Sequence, residues 1–159
     1  MWWRLTRSEF AKNAGDKNKR LMKRITESGE VPGLLAYAGG EPIGWCSVAP
    51  REAYPVLDRS PTLRRIDNKP AWSVVCFFVA KRFRSRGVTG LLLQAAVNYA
   101  RERGAELVEG YPIETRRNHR LSGSEGFTGI VSSFRKAGFS EAVRRSKNRP
   151  IMRYYVRRW

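Results

Sequence analysis

Residues 77–96 read "FFVAKRFRSRGVTGLLLQAA". The stretch opens as an apolar strand, turns basic over residues 81–86, passes Gly87 and Gly90 and continues with helical spacing. A strand-to-helix junction gathers backbone N–H groups that the helix cannot satisfy, together with the positive end of its dipole. Arg84 and Arg86 add charge at the same point. Such a junction suits an anion, phosphate above all.

The flanking sequence extends this unit in both directions. Upstream, "AWSVVCFFVA" (71–80) is apolar on both faces, as a central strand covered on two sides requires. Downstream, Leu91, Leu92, Ala95, Ala96 and Tyr99 recur at helical spacing as far as about Arg103, and Gly104 ends the helix. "AELVEGYP" (105–112) predicts a strand, and "IETRRNHRLSGSEG" a polar loop. In "FTGIVSSFRKAGF", Phe127, Ile130, Val131 and Phe134 predict a helix that stops at Gly138. Strands are expected over 139–144 and 151–156. Towards the N-terminus, residues 10–27 read as a helical region with Leu21, Met22 and Ile25 on one side. Residues 34–38 and 43–49 read as a hairpin turning at Gly39-Gly40. Residues 50–70 hold four prolines and predict an irregular connection with room for a short helix. The order is helix, hairpin, strand, helix, strand, helix, strand, strand, an α/β chain with a mixed sheet.

Composition bounds the rest. A chain of 159 residues is expected to be a single domain, spanning 1–159. Hydrophobic residues at 42% and charged residues at 28% are globular proportions. The net charge of +17 favours anionic partners: a phosphorylated cofactor, nucleic acid or a membrane surface. No apolar run approaches the ~18 residues of a spanning helix, and the N-terminus lacks a signal-peptide core. A cytoplasmic protein with no membrane association is expected. Cys46 and Cys76 lack CxxC spacing and stand beside a single histidine, which argues against a disulfide framework or a metal site.

The common phosphate motifs are missing: there is no GxxxxGK[ST], and no GxGxxG follows a strand. Arg84-Ser85-Arg86-Gly87-Val88-Thr89 instead resembles the acetyl-coenzyme A loop of the GNAT (Gcn5-related) N-acetyltransferases, written Arg/Gln-x-x-Gly-x-Gly/Ala. Thr89 stands where the family has Gly or Ala, and a threonine there is able to cap the helix. "VVCFFV" resembles the family's splayed central strand, and "SSFRKAGF" its second signature helix. "GWCSVAPREAY" and "RSKNRPIMRY" resemble a bacterial subfamily, which implies no substrate. The resemblance implies a GNAT-like fold, a mixed sheet splayed in a V with helices on both faces. It also implies direct transfer of acetyl from acetyl-coenzyme A to a primary amine, without metal. The backbone of Phe77, Phe78 and Val79 would pair with the pantetheine arm. Arg84, Ser85, Arg86, Gly87, Val88, Thr89 and Gly90 would wrap the pyrophosphate, and a backbone N–H near the splayed strand end would stabilise the oxyanion. By the same resemblance Phe134, on the second signature helix, would belong to the coenzyme site.

The proton chemistry has several candidates. Glu109 is expected to act as base, or else to form a structural pair with one of the many arginines. Glu114 and Glu125 are loop alternatives. The family's tyrosine acid corresponds to Phe134, which has no proton to give, so Tyr111, Ser133 or water must serve, Tyr111 being preferred. A cysteine nucleophile, Cys46 or Cys76, with His119 as base is a remote option. On the acceptor side, Arg51 and Arg65 suit an acidic amine, and Trp45, Tyr54 and Trp72 an aromatic one. Two rival functions remain open: a non-catalytic coenzyme A-binding protein, and a nucleic-acid module using the basic runs at 17–24, 81–86 and 144–149. Weak non-specific nucleic-acid binding and a homodimer are left open as partners.

Overall fold

A computed structural model describes residues 1–115 and 126–156. The elements are α1 (Arg7–Lys12), α2 (Asp16–Glu27), β1 (Leu34–Ala38), β2 (Glu41–Pro50), α3 (Pro55–Arg59), β3 (Trp72–Val79), α4 (Val88–Glu102), β4 (Leu107–Gly110), α5 (Val131–Lys136), β5 (Ser140–Arg144) and β6 (Pro150–Tyr155). The strands form one sheet in the order β1-β2-β3-β4-β6-β5. Among the described strands only the β3–β4 pairing is parallel, as a crossover through α4 demands. None of the described helices is long and apolar enough to cross a membrane.

The helical region expected at 10–27 is two helices. Thr6 and Glu9 form a reciprocal capping box that starts α1 one turn earlier, and the chain breaks at Gly15 before α2. In α4 the buried face is Leu92, Leu93, Ala96, Val97 and Ala100, one position round from the expected one; Leu91 is 65% exposed. "LLLQAAV" is apolar on most of its circumference, so spacing alone does not fix which side packs. The helix expected from Phe127 starts only at Val131. Residues 129–131 bond instead to Ile113, whose N–H donates to the Gly129 carbonyl and whose carbonyl accepts from Val131 N–H.

Two apolar layers cover the sheet. On one face α4 and α5 pack over Val48, Val74, Phe77, Val108 and Met152. On the other, Tyr54, Leu57 of α3 and Leu63 lie over Ala49, Val75 and Ile151. Strict alternation would put Val74 and Phe77 on opposite faces. They share one because Ser47 pairs with Cys76 and Val48 with Val74, leaving Val75 as an extra residue in a bulge. A bulge bends its strand. Pairing of β3 with β4 ends at Val74↔Gly110, where the bulge begins, and the rest of β3 leans away. That opening is the V.

Candidate functional site

The opening holds a cleft of about 450 Å³. One wall is Phe77, Phe78 and Val79 of β3. The end is the strand-to-helix loop with Phe83, Arg84, Ser85, Gly87, Val88, Thr89 and Gly90. The far wall is Gly126, Phe127, Ile130 and Ser133. Arg86 does not line it; its guanidinium lies over the Phe83 ring, 5.9 Å from the centroid.

The loop is shaped by two left-handed residues, Ser85 at φ 61° and Gly87 at φ 80°. Gly87 is the N-cap of α4, so Thr89 lies inside the helix and makes no capping bond. A Cβ at Gly87 would meet open space, which makes the glycine a matter of backbone conformation and leaves room above it. Left-handed residues beside a helix start turn successive N–H groups toward one concavity. Arg84 is exposed and donates Nε–H to the Val79 carbonyl at 3.1 Å. The loop thus offers amides, a cation and room, which fits the pyrophosphate of a coenzyme.

Phe77 N–H points from the open edge of β3 and donates to the Phe127 carbonyl at 2.6 Å. The donor faces the cleft and holds an amide oxygen there. Trp3 covers Phe127 from outside, with ring centroids 6.2 Å apart.

Phe134 lies beneath the cleft and does not line it. It is fully buried, meeting Phe77 and Phe139 edge-on at 6.0 and 5.1 Å. Its ring presses on Gly110 so closely that a Cβ there would lie 2.0 Å from it.

Glu109 and Tyr111 lie on the face opposite α4, both buried in a polar network that reaches the surface at Asp58. Glu109 Oε2 accepts from Arg51 Nη1 at 3.1 Å and from Tyr111 Oη at 3.0 Å, and Oε1 accepts from Arg153 Nε at 2.8 Å. Arg51 also donates to Tyr111 Oη at 2.6 Å, to Asp58 at 2.8 Å and to the Leu63 carbonyl at 2.9 Å. Ser73 Oγ is 2.8 Å from the same phenol. Burial pushes the Tyr111 pKa far above the usual phenol range. Of the two readings of Glu109, the geometry matches the structural pair. Glu114 pairs with Arg144 at 2.7 Å, while Glu125 and His119 lie outside the described residues.

The other acceptor-side candidates are also committed elsewhere. Arg65 binds Glu52 at 2.6 Å, and Tyr54 is buried with its hydroxyl on Ser47 at 2.9 Å. Trp72 stands edge-on to Tyr99, and Trp45 is half-buried outside the cleft lining. Burial raises the Cys46 thiol to about 12 and raises Cys76 as well, opposite to what a nucleophilic thiolate needs. Among the described residues no cluster of His, Cys, Asp or Glu could hold a metal ion.

Sequence reasoning missed Phe83, Gly126, Phe127 and Ile130 as cleft residues. Phe127 was masked by its helical spacing with Ile130 and Phe134.

Comparison with known proteins agrees with this geometry. Among solved structures, Ard1 from Thermoplasma volcanium superposes with a TM-score of 0.53 at 17% identity, covering 87% of this chain and 78% of that one. A ribosomal-protein-alanine N-acetyltransferase from Brucella melitensis gives 0.51 at 17%, covering 89% and 78%. The NatC complex bound to Gag peptide and coenzyme A gives 0.54 at 10%, covering 87% and 79%. At these identities the likeness shows the fold alone. No curated protein sequence matches the chain. Residues 1–120 match the family model described as Acetyltransferase (GNAT) family. With the splayed strand, the left-handed loop and α4 in place, the chain belongs to the GNAT acetyltransferase family.

Proposed function

We propose that this chain transfers acetyl from acetyl-coenzyme A directly to a primary amine. The observation that carries the reading is the cleft itself. An open strand edge with a forward-facing N–H at Phe77 lies in line with an amide-rich, cationic helix start. Acetyl-coenzyme A supplies the activated acyl group. Val88, Thr89, Gly90 and the loop amides take the pyrophosphate, with Arg84 adding charge. Phe78 and Val79 flank the pantetheine. Phe77 N–H donates to the thioester oxygen, replacing the bond it makes to the Phe127 carbonyl, and stabilises the charge that builds there. The amine nitrogen bonds to the acyl carbon, the C–S bond breaks and its electron pair leaves on sulfur.

Glu109 and Tyr111 hold the sheet in register in this reading and exchange no proton. The amine proton leaves to water, directly or by way of a carboxylate: the described cleft lining contains none, and Glu125, next to Gly126 of that lining, lies outside the described residues. Ser133 takes the place sought for Tyr111: it is the hydroxyl on the α5 wall of the cleft, and it donates a hydrogen bond to the departing thiolate. A thiol of pKa near ~8.5 leaves without full protonation.

The test is a thermal-shift titration with acetyl-coenzyme A, followed by thiol release over a panel of amines. Stabilisation with turnover is expected. The absence of any shift or calorimetric heat sinks the reading. The burial of Phe134, Glu109 and Tyr111 favours a second reading, coenzyme binding without catalysis, which predicts a shift and no turnover.

A further inference from the structure

Arg149, beyond the end of β4, is a half-buried arginine whose charge meets no carboxylate among the described residues. Its Nη1 donates to the Tyr111 carbonyl at 2.9 Å and to Thr128 Oγ1 at 2.9 Å. Nε and Nη2 have no partner among the described residues, and neither is among the buried polar atoms left unsatisfied. The side chain is half-buried, and burial with no counter-charge pushes its pKa below the usual arginine value. Arg51 and Arg153 are instead neutralised by Glu109, and Arg144 by Glu114 and Glu141, while Arg145 spends both terminal nitrogens on the Arg64 and Arg65 carbonyls.

Position gives the free fork a use. Thr128, one of its two anchors, follows Phe127, whose carbonyl sits on Phe77 N–H. Tyr111, the other, follows the last residue of β4, beyond the point where β3 and β4 part. In the acetyl-transfer reading the coenzyme lies along β3 toward α4, so the amine must approach Phe77 from the opposite side. The two anchors of Arg149 put it on that side in this reading, held at one nitrogen with its remaining donors unclaimed among the described residues. A guanidinium so placed binds a carboxylate or phosphate in two-point fashion.

We propose that the accepted amine carries an anionic group, a carboxylate or phosphate, and that Arg149 binds it. The inference rests on the acetyl-transfer reading and adds a substrate class to it. Arg149 thereby sets specificity and performs no chemistry.

The test uses paired amines that differ only in charge: aspartate with asparagine, β-alanine with β-alaninamide, and phosphoethanolamine with ethanolamine. Binding to the full chain is measured by ligand-observed NMR with and without coenzyme A, and turnover is measured where it occurs. At least one anionic member is expected to bind about tenfold to a hundredfold more tightly than its neutral partner, the scale of charge-assisted hydrogen bonds. The carboxylate and phosphate arms tell the two anions apart. In Arg149→Gln the preference should vanish through KM while kcat changes little, and Arg149→Lys should restore part of it. Equal binding within every pair overturns the proposal, as does a preference that survives Arg149→Gln. The wild-type comparison needs no variant to fold. Failure of acetyl-coenzyme A to shift the melting temperature counts against the acetyl-transfer reading alone, because anion preference is read separately.

Discussion

Arg51 Nη1 lies 3.1 Å from Glu109 Oε2, and the two side chains are 1% and 2% exposed. The pair joins the turn after β2 to the middle of β4 on the face opposite α4. Removing one member of a buried ion pair costs roughly 3–5 kcal/mol where the other is left alone, and the lower end applies here because Glu109 keeps Arg153. Arg51→Ala should lose stability on that scale in urea denaturation. Asp58→Asn removes a partner that is 45% exposed and should cost less than about 1 kcal/mol. Equal losses in the two variants would show that the pair does not carry the weight assigned to it.

Asp67 makes a two-point contact with Arg153, at 2.6 and 3.0 Å. Hydrogen bonding to Arg153 holds its pKa at about 2, below the ordinary 3.8. A carboxylate whose folded pKa is depressed stabilises the fold above its unfolded pKa and loses that contribution as pH falls through the folded one. Asp67→Asn should therefore be less stable than wild type at pH 7, and the gap should close between about pH 4 and pH 2. Melting curves across that range are the measurement. A gap that does not change with pH removes the carboxylate from the account.

The family resemblance implies a tyrosine acid at the position of Phe134, so Phe134→Tyr is the obvious attempt to restore one. Here the ring is fully buried against Phe77, Phe139 and Gly110. A hydroxyl added there enters an apolar site. The variant should lose roughly 1–3 kcal/mol, the desolvation cost of an unsatisfied group. It should gain no rate. A faster enzyme would show that the phenol reaches the cleft.

Gly87→Glu places a side chain and a negative charge at the N-cap of α4 and should abolish the acetyl-coenzyme A thermal shift. Arg84→Ala, at an exposed position, should weaken it by about 1.5–3 kcal/mol. Retention of full affinity by both variants would move the phosphate site elsewhere.

The net charge of +17 should give weak binding of nucleic acid without sequence preference. Affinity should collapse between 50 and 200 mM salt, the range over which counterion release acts. Anisotropy titrations of two unrelated duplexes check this. A tight, selective complex at physiological salt would favour the nucleic-acid reading over acetyl transfer.

The loop and its flanking elements were legible because a strand, a Gly-containing basic turn and a helix are contiguous. Local spacing carried all of the information needed. The fates of the arginines were not legible. Arg51, Arg65 and Arg149 look alike in sequence, and only tertiary placement shows that the first two meet carboxylates and the third meets a carbonyl and a hydroxyl. Glu109 was ambiguous for the same reason, since its partners Arg51 and Arg153 are 58 and 44 residues away. The bulge at Val75 was hidden because "VVCFFV" is apolar throughout, and a one-residue slip leaves no mark in such a run.

The bulge also has a mechanical meaning. Below it, β3 and β4 are stitched only from Trp72↔Val108 to Val74↔Gly110; above it the two halves of the sheet are unlaced. The molecule therefore resembles a book whose binding is sewn along part of its spine. Thermal opening should begin at the unsewn end, where backbone pairing is sparsest. A bound strand-like ligand there would act as added thread, so the coenzyme would serve as a structural member of the sheet during its stay as well as the source of the acetyl group.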